Sequence, residues 1–200
     1  MPLLTPRDEF GDYKPSRWAF WRNLAVYFCV FSVVGHWIEI VYCLFMRLFG
    51  IYDPASLVWG DPFYPFMVYG IGSVVCTLLL DPLKEAVIRR RKTIWGAALQ
   101  FFLITTIACM LMELTMGFML NQPNEFGIYP LWDNSQLPLN ILKQAWLVND
   151  VMLGMLSILY IWGIYPMNEK ILSKVPERTM NVASIIVVVG FVALCIVEFN

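Results

Sequence analysis

The residues best suited to chemistry in this chain stand inside apolar runs. The only histidine, His36, lies one turn from Glu39 in the stretch Ser32-Val-Val-Gly-His-Trp-Ile-Glu39, within a run from Leu24 to Met46 that holds no other acidic or basic side chain. Glu113 and Asp150 occupy comparable places in two later runs. A charge at the centre of a bilayer costs about 2.5 to 3.5 kcal/mol on insertion scales, so intramembrane ionisable groups face a protein interior or a polar cavity and by default mark binding or permeation. An acid pair can also perform general acid and base work, but no nucleophile or metal signature accompanies these carboxylates.

The missing motifs narrow the chemistry. There is no Gly-x-x-x-x-Gly-Lys-Ser/Thr loop, so ATP hydrolysis by that route would have to come from a partner. One histidine excludes a His-x-x-x-His zinc motif and bis-histidine haem ligation, and Gly-x-Ser-x-Gly is absent. Cys29, Cys43, Cys76, Cys109 and Cys195 all lie in apolar runs without a Cys-x-x-Cys pair, which reads as buried thiols rather than disulfides or a metal centre. The chain is therefore expected to be no enzyme and to carry no cofactor or metal, and nothing points to nucleic acid.

The elements that must position these groups follow from composition. With 59% hydrophobic and 14% charged residues in 200, the chain departs from soluble globular balance and matches an all-α, polytopic transmembrane helix bundle. Five spans are expected, at about residues 24–46, 63–80, 94–120, 145–167 and 180–197. Residues 1–23 form a cytoplasmic tail ending in Arg17, Trp18, Trp21 and Arg22, and residues 24–199 form one transmembrane domain. Such runs are too long for barrel strands, and the first is too long for a signal peptide.

Twelve of the fourteen basic residues fall in the N-terminal tail, the second loop, which includes Arg89, Arg90, Arg91 and Lys92, and the fourth loop. The positive-inside rule then places the N terminus in the cytoplasm and the C terminus outside. The basic run itself reads as topogenic charge beside anionic lipid, or as a docking point for a cytoplasmic partner.

Topology converts position into depth. Glu39 and Glu113 each stand seven residues from the outer ends of their spans at Met46 and Leu120, roughly 10 Å deep, and Asp150 stands five residues past Ala145, roughly 7 to 8 Å deep. Three carboxylates thus share a layer in the outer half of the bilayer. Helical spacing aligns Ser32, His36, Glu39 and Cys43 on one face, Thr106, Cys109, Glu113 and Gly117 on a second, and Trp146, Asp150, Gly154 and Ser157 on a third, with small residues that favour close helix approach. Tyr69, Gly70, Gly72 and Ser73 of span two reach similar depth, whereas span five looks peripheral. The layer reads either as a ligand or ion site open to the outside, or as a hydrogen-bonded core in which neutral acids, His36, Tyr69 and Asn149 satisfy one another. The outer loops, 47–62 and 121–144, are rich in Pro, Gly, Asn and aromatic residues. In the second of these, Trp132-Asp133-Asn134-Ser135 offers turn and capping chemistry over the membrane surface and a possible short interfacial helix leading into span four.

These blocks resemble a bacterial membrane protein family, the ABC-transporter type IV (CmpB-like) proteins. Ser32, Gly35 and Glu39 match its first-span pattern Ser-x-x-Gly-Trp-x-x-Glu, with His36 where the family usually has Trp. Gly60, Pro62, Pro65, Tyr69, Gly70 and Gly72 resemble its Gly-Pro-x-x-Pro-Ile-Tyr-Gly-x-Gly block, with extra residues between proline and tyrosine. Trp132, Asp133, Ser135, Pro138 and Asn140 fit its outer-loop pattern, with Asn134 in place of a tyrosine and Lys143 where glycine is common.

The resemblance implies a permease-like component and brings no substrate. The expected function is a multi-pass transport component of a bacterial plasma membrane, without its own ATPase. Its candidate ligand or ion contacts are His36, Glu39, Tyr69, Glu113, Asp150, Asn149, Trp132 and Asp133. The alternative is a non-transporting accessory or regulatory subunit of another membrane complex. Lipid is the expected surrounding, with a cytoplasmic ATPase or another membrane subunit as partner and self-association expected, since five spans are few for a whole transport path.

Overall fold

A computed structural model describes residues 17–51 and 60–199. Most of the expected N-terminal tail and the middle of the first outer loop lie outside the described residues. The chain is almost wholly helical: α1 (Arg17–Arg47), α2 (Met67–Val75), a π-helical turn (Cys76–Leu80), α3 (Asp81–Arg90), α4 (Ile94–Leu120), two two-residue strands, β1 (Asn140–Ile141) and β2 (Ala145–Trp146), α5 (Leu147–Ile158), a second π-helical turn (Leu159–Ile164), α6 (Tyr165–Leu172) and α7 (Glu177–Phe199).

Four helical rods are long and apolar enough to cross a membrane: Trp18–Arg47, Ile94–Leu120, Leu147–Leu172 and Glu177–Phe199. They coincide with the first, third, fourth and fifth expected spans. The second expected span, 63–80, is helical from Met67 onward but is not one of these four. Its helix runs on through α3, which carries Asp81, Lys84, Glu85, Arg89 and Arg90. The loop expected after residue 80 accordingly shrinks to residues 91–93, and Thr93 opens α4 by accepting a hydrogen bond from Gly96 N at 3.1 Å. Lys84 is buried, with Asp81 at 2.8 Å and Glu85 at 3.3 Å to satisfy its ammonium.

Each π-helical turn directly precedes a proline at the start of the next helix, Pro82 in α3 and Pro166 in α6. A proline lacks the N–H that would bond the carbonyl four residues back and its ring crowds that carbonyl, so a widened turn there resolves the conflict. The two widened turns touch, and Thr77 Oγ1 lies 3.0 Å from Tyr160 Oη between them.

Packing follows the small residues. α1 lies along α2, α4 along α5, α3 against α4, and α7 against α1. A Cβ at Gly35 would collide with Tyr69, and one at Gly70 with Ser32 and the Phe28 carbonyl, so these two glycines set the α1–α2 approach. Gly154 does the same for α5 against Thr106 of α4. The buried apolar centre joins Tyr27, Leu80, Phe101, Tyr160, Ile161 and Tyr165. α7 is peripheral, its Val182, Ile185, Ile186 and Val189 exposed.

The short helix expected before span four does not form. Residues 139–146 instead fold into a tight antiparallel hairpin, pairing Asn140 with Trp146 and Ile141 with Ala145. Leu139, Leu142 and Lys143 adopt positive φ values of 64°, 52° and 64° to close it. That strain is offset by side-chain ties described below.

Gly35→Ala and Gly70→Ala should each destabilise the protein by about 1 to 3 kcal/mol in detergent unfolding, because the crossing cannot absorb a methyl group. Gly72→Ala, with open space around it, should be near neutral; an equal loss at Gly72 would contradict the packing account.

Candidate functional site

His36 is completely buried on the inward face of α1. Its Nδ1 stands 3.1 Å from Glu39 Oε2 and its Nε2 2.8 Å from the Asp61 carbonyl. The segment from Asp61 to Phe66 folds down onto α1: Trp37 Nε1 donates to the Pro62 carbonyl at 2.6 Å, and the Tyr64 and Phe66 rings meet the imidazole edge-on. The histidine that replaces tryptophan in the family pattern thus pins the entry of α2 to α1 with both ring nitrogens in use.

Glu39 connects this corner to the next helix. Tyr69 of α2 hydrogen-bonds to Glu39, and Cys43 and Glu113 lie within its electrostatic surroundings. Glu113 of α4 faces Asp150 of α5, and the Trp146 backbone and Asn149 side chain lie against Glu113. The structure therefore brings together six of the eight expected site residues: His36, Glu39, Tyr69, Glu113, Asn149 and Asp150.

Asp150 is completely buried, and neither of its carboxyl oxygens has a hydrogen-bond partner of good geometry; the same holds for Glu113 Oε2. Among the described residues neither carboxyl has a salt-bridge partner. The Tyr42 hydroxyl, in the surroundings of Glu113, and the Thr106 hydroxyl, next to Gly154, are also buried without partners. These oxygens come from α1, α4 and α5. Such a set of acceptors can share a proton or hold a small cation. Among the described residues no three His, Cys, Asp or Glu side chains gather into a metal-ligating group.

Trp132 and Asp133 do a different job. Trp132 Nε1 donates to the Gln144 carbonyl at 2.8 Å, and Asp133 Oδ1 accepts from Ser135 N at 2.9 Å. Asn134 also reaches the Gln144 carbonyl, at 2.9 Å. Asn121, fully buried at the end of α4, holds Trp132 O, Leu131 N and the Gln144 side chain at 2.8, 3.0 and 3.2 Å. Gln144 sits directly on Gly117, one turn above Glu113. The outer loop is thus a tied cap over the carboxyl pair. Sequence reading missed Gln144, Asn121 and Tyr42, and placed Thr106 on the Glu113 face without a site role; an amide at the last turn of an apolar span was the available signal for Asn121.

The sequence profile of the family described as "Putative ABC-transporter type IV" matches residues 26–199. That match covers α1 from Val26 onward, every later helix and the whole site. The chain belongs to that family. Comparison with curated proteins returned no match, and neither did comparison with solved structures. As a member of this ABC-transporter-type family with membrane-crossing helices, the chain is a transport-related membrane component.

The 3.1 Å contact between His36 and Glu39 predicts energetic coupling between them. His36→Ala and Glu39→Gln should each destabilise the protein in detergent unfolding, and the double variant should cost less than the sum of the two. Strictly additive effects would remove the pair from the fastening of α2 to α1.

Proposed function

We propose that the chain is the permease-like subunit of a transport system, binding a small cation at the Glu113–Asp150 carboxyl pair and relying on an ATPase encoded elsewhere. The observation that carries this reading is Asp150, fully buried and facing the Glu113 carboxyl, with no salt-bridge partner among the described residues. Two acids buried against each other without a basic partner are costly in a purely structural core, because even an unpaired buried polar group costs roughly 1 to 3 kcal/mol and charged groups cost more. Carboxyl oxygens, a tyrosine hydroxyl and a threonine hydroxyl are hard donors suited to an alkali or alkaline-earth cation.

In this reading the helix from Met67 through Leu80 makes a fifth crossing, its inner end marked by the charges of α3. The N terminus is then cytoplasmic, the carboxyl pair lies in the outer half of a bacterial plasma membrane, and the hairpin cap stands between it and the outside. The cap covers the site, so access requires the 121–146 segment to lift or α5 to shift against α4 at Gly154. Self-association or a second membrane subunit completes the path.

Thermal unfolding of the purified full chain, titrated with alkali and alkaline-earth chlorides at constant ionic strength, tests this. A ligand at about 100 times its Kd should stabilise by about 2.7 kcal/mol. One cation should raise the wild-type midpoint while Glu113→Gln and Asp150→Asn abolish the shift. If no cation distinguishes wild type from these variants, the site reading fails and the accessory-subunit reading gains.

A further inference from the structure

We propose that the contact between α1 and α7 holds a binding site for a phosphate oxyanion, supplied in a bilayer by the headgroup phosphodiester of a membrane lipid, with Arg22 and Asn23 as its donors. This site goes beyond the cation reading of the Glu113–Asp150 pair and does not depend on it.

Arg22 stands in the second turn of α1 and is buried at 8% exposure, beside Asn23 at 2%. Asn23 Oδ1 accepts from Arg22 Nε at 3.3 Å and from Nη2 at 3.1 Å, and Asn181 Oδ1 of α7 accepts from Nη1 at 2.7 Å. A guanidinium only donates, so the atoms that face it must be oxygens, and this fixes how both carboxamides are turned. Three of its five N–H groups are thereby used, which leaves one free on each terminal nitrogen. The Asn23 amide, its oxygen turned to Arg22, carries Nδ2 on the same carbon as a buried donor without a partner.

The charge is unmatched as well. Among the described residues the hydrogen-bond partners of Arg22 are neutral carboxamides, and no carboxylate lies within ion-pair distance of it. Glu169, which reaches α1 one turn deeper, is buried and accepts from the Tyr27 hydroxyl at 2.6 Å instead. A buried cation beside an unpaired N–H donor is costly until an anion supplies the missing acceptors. The donor set asks for several oxygens on one negative group, and phosphate oxygens meet a guanidinium through charge-assisted hydrogen bonds.

The surroundings favour a lipid as the source. Trp18 and Trp21, just before Arg22, are exposed, as aromatic side chains are at headgroup level. Next to Asn181, α7 exposes Val182, Ile185, Ile186 and Val189 along one side, an apolar strip for the acyl chains of a headgroup held at Arg22. A free phosphate ion would use the donors and leave that strip uncovered.

The test follows thermal unfolding of the purified full chain in a phosphate-free maltoside detergent, titrated at constant ionic strength with dioctanoyl phosphatidylglycerol, dioctanoylglycerol or sodium phosphate. Phosphatidylglycerol should raise the wild-type midpoint saturably. Dioctanoylglycerol, which lacks the phosphate, should not, and sodium phosphate should act only at higher concentration. Asn23→Asp is the decisive variant: it keeps an oxygen for Arg22, and with it the tie to α7, but replaces the unpaired donor with a carboxylate oxygen and neutralises the guanidinium. Its lipid-free midpoint should be no lower than wild type, while its apparent affinity for the lipid falls at least about tenfold, the loss expected for a hydrogen bond to a charged group. Arg90→Gln, which removes an exposed basic residue of α3, should leave the shift unchanged. No saturable lipid shift in wild type, full affinity in Asn23→Asp, or an equal loss in Arg90→Gln overturns the site. A wild-type response to sodium phosphate at the same concentration as to the lipid would keep the oxyanion site and overturn the lipid as its occupant.

Discussion

Hydrocarbon cannot solvate a carboxylate, and the whole fold is arranged around two that must be kept from it, Glu113 and Asp150. They meet only because α4 and α5 approach closely, and that approach depends on Gly154 lying flush against Thr106. One turn above, Gly117 leaves room for Gln144, which ties the hairpin to Asn121 and closes that end of the helix pair. On the other side, Gly35 and Gly70 bring α2 onto α1, so that Tyr69 can reach Glu39 and extend the polar layer. Small residues therefore act as spacers for charge: where a Cβ is missing, an acid is brought under cover.

Much of this was legible from the sequence because lipid imposes few solutions. Runs of apolar residues could only be helices, and four of the five expected spans match helices long enough to cross, with the third matching to the residue. Helical periodicity placed Asp150, Gly154 and Ser157 on one face, and all three are buried. The π-helical turns were not legible, although Pro82 and Pro166 announced a backbone conflict; periodicity does not say whether proline kinks a helix, ends it or widens one turn. The hairpin was missed for a related reason. Asn140 and Trp146 pair through positive-φ leucine and lysine, residues whose type gives no turn signal, and the hairpin is held by side-chain ties from Trp132, Asn134, Asn140 and Trp146.

Glu169 was overlooked because it stands at the end of its run and reads as an ordinary interfacial acid. What distinguishes it is tertiary: Tyr27 comes from the first helix, over a separation no local pattern encodes. His36 shows the opposite case. It stood out as a lone ionisable residue, and the structure gives it a positioning task, with one nitrogen on Glu39 and the other on the Asp61 carbonyl. It fastens the entry of α2 to α1 beside the carboxyl groups.

The central claim is that the Glu113–Asp150 pair is held at a cost to stability, which a structural hydrogen-bonded core would not be. Equilibrium unfolding of Asp150→Asn, Glu113→Gln and the double variant, at neutral pH in buffer free of metal cations, measures that cost directly. Relief of two acids buried face to face without a basic partner predicts that either single variant is more stable than wild type, by about 1 to 4 kcal/mol, the range for buried ionic groups replaced by uncharged ones of similar volume, and that the second substitution adds little. Single variants less stable than wild type would show that these carboxyls hold the bundle together and would contradict the account.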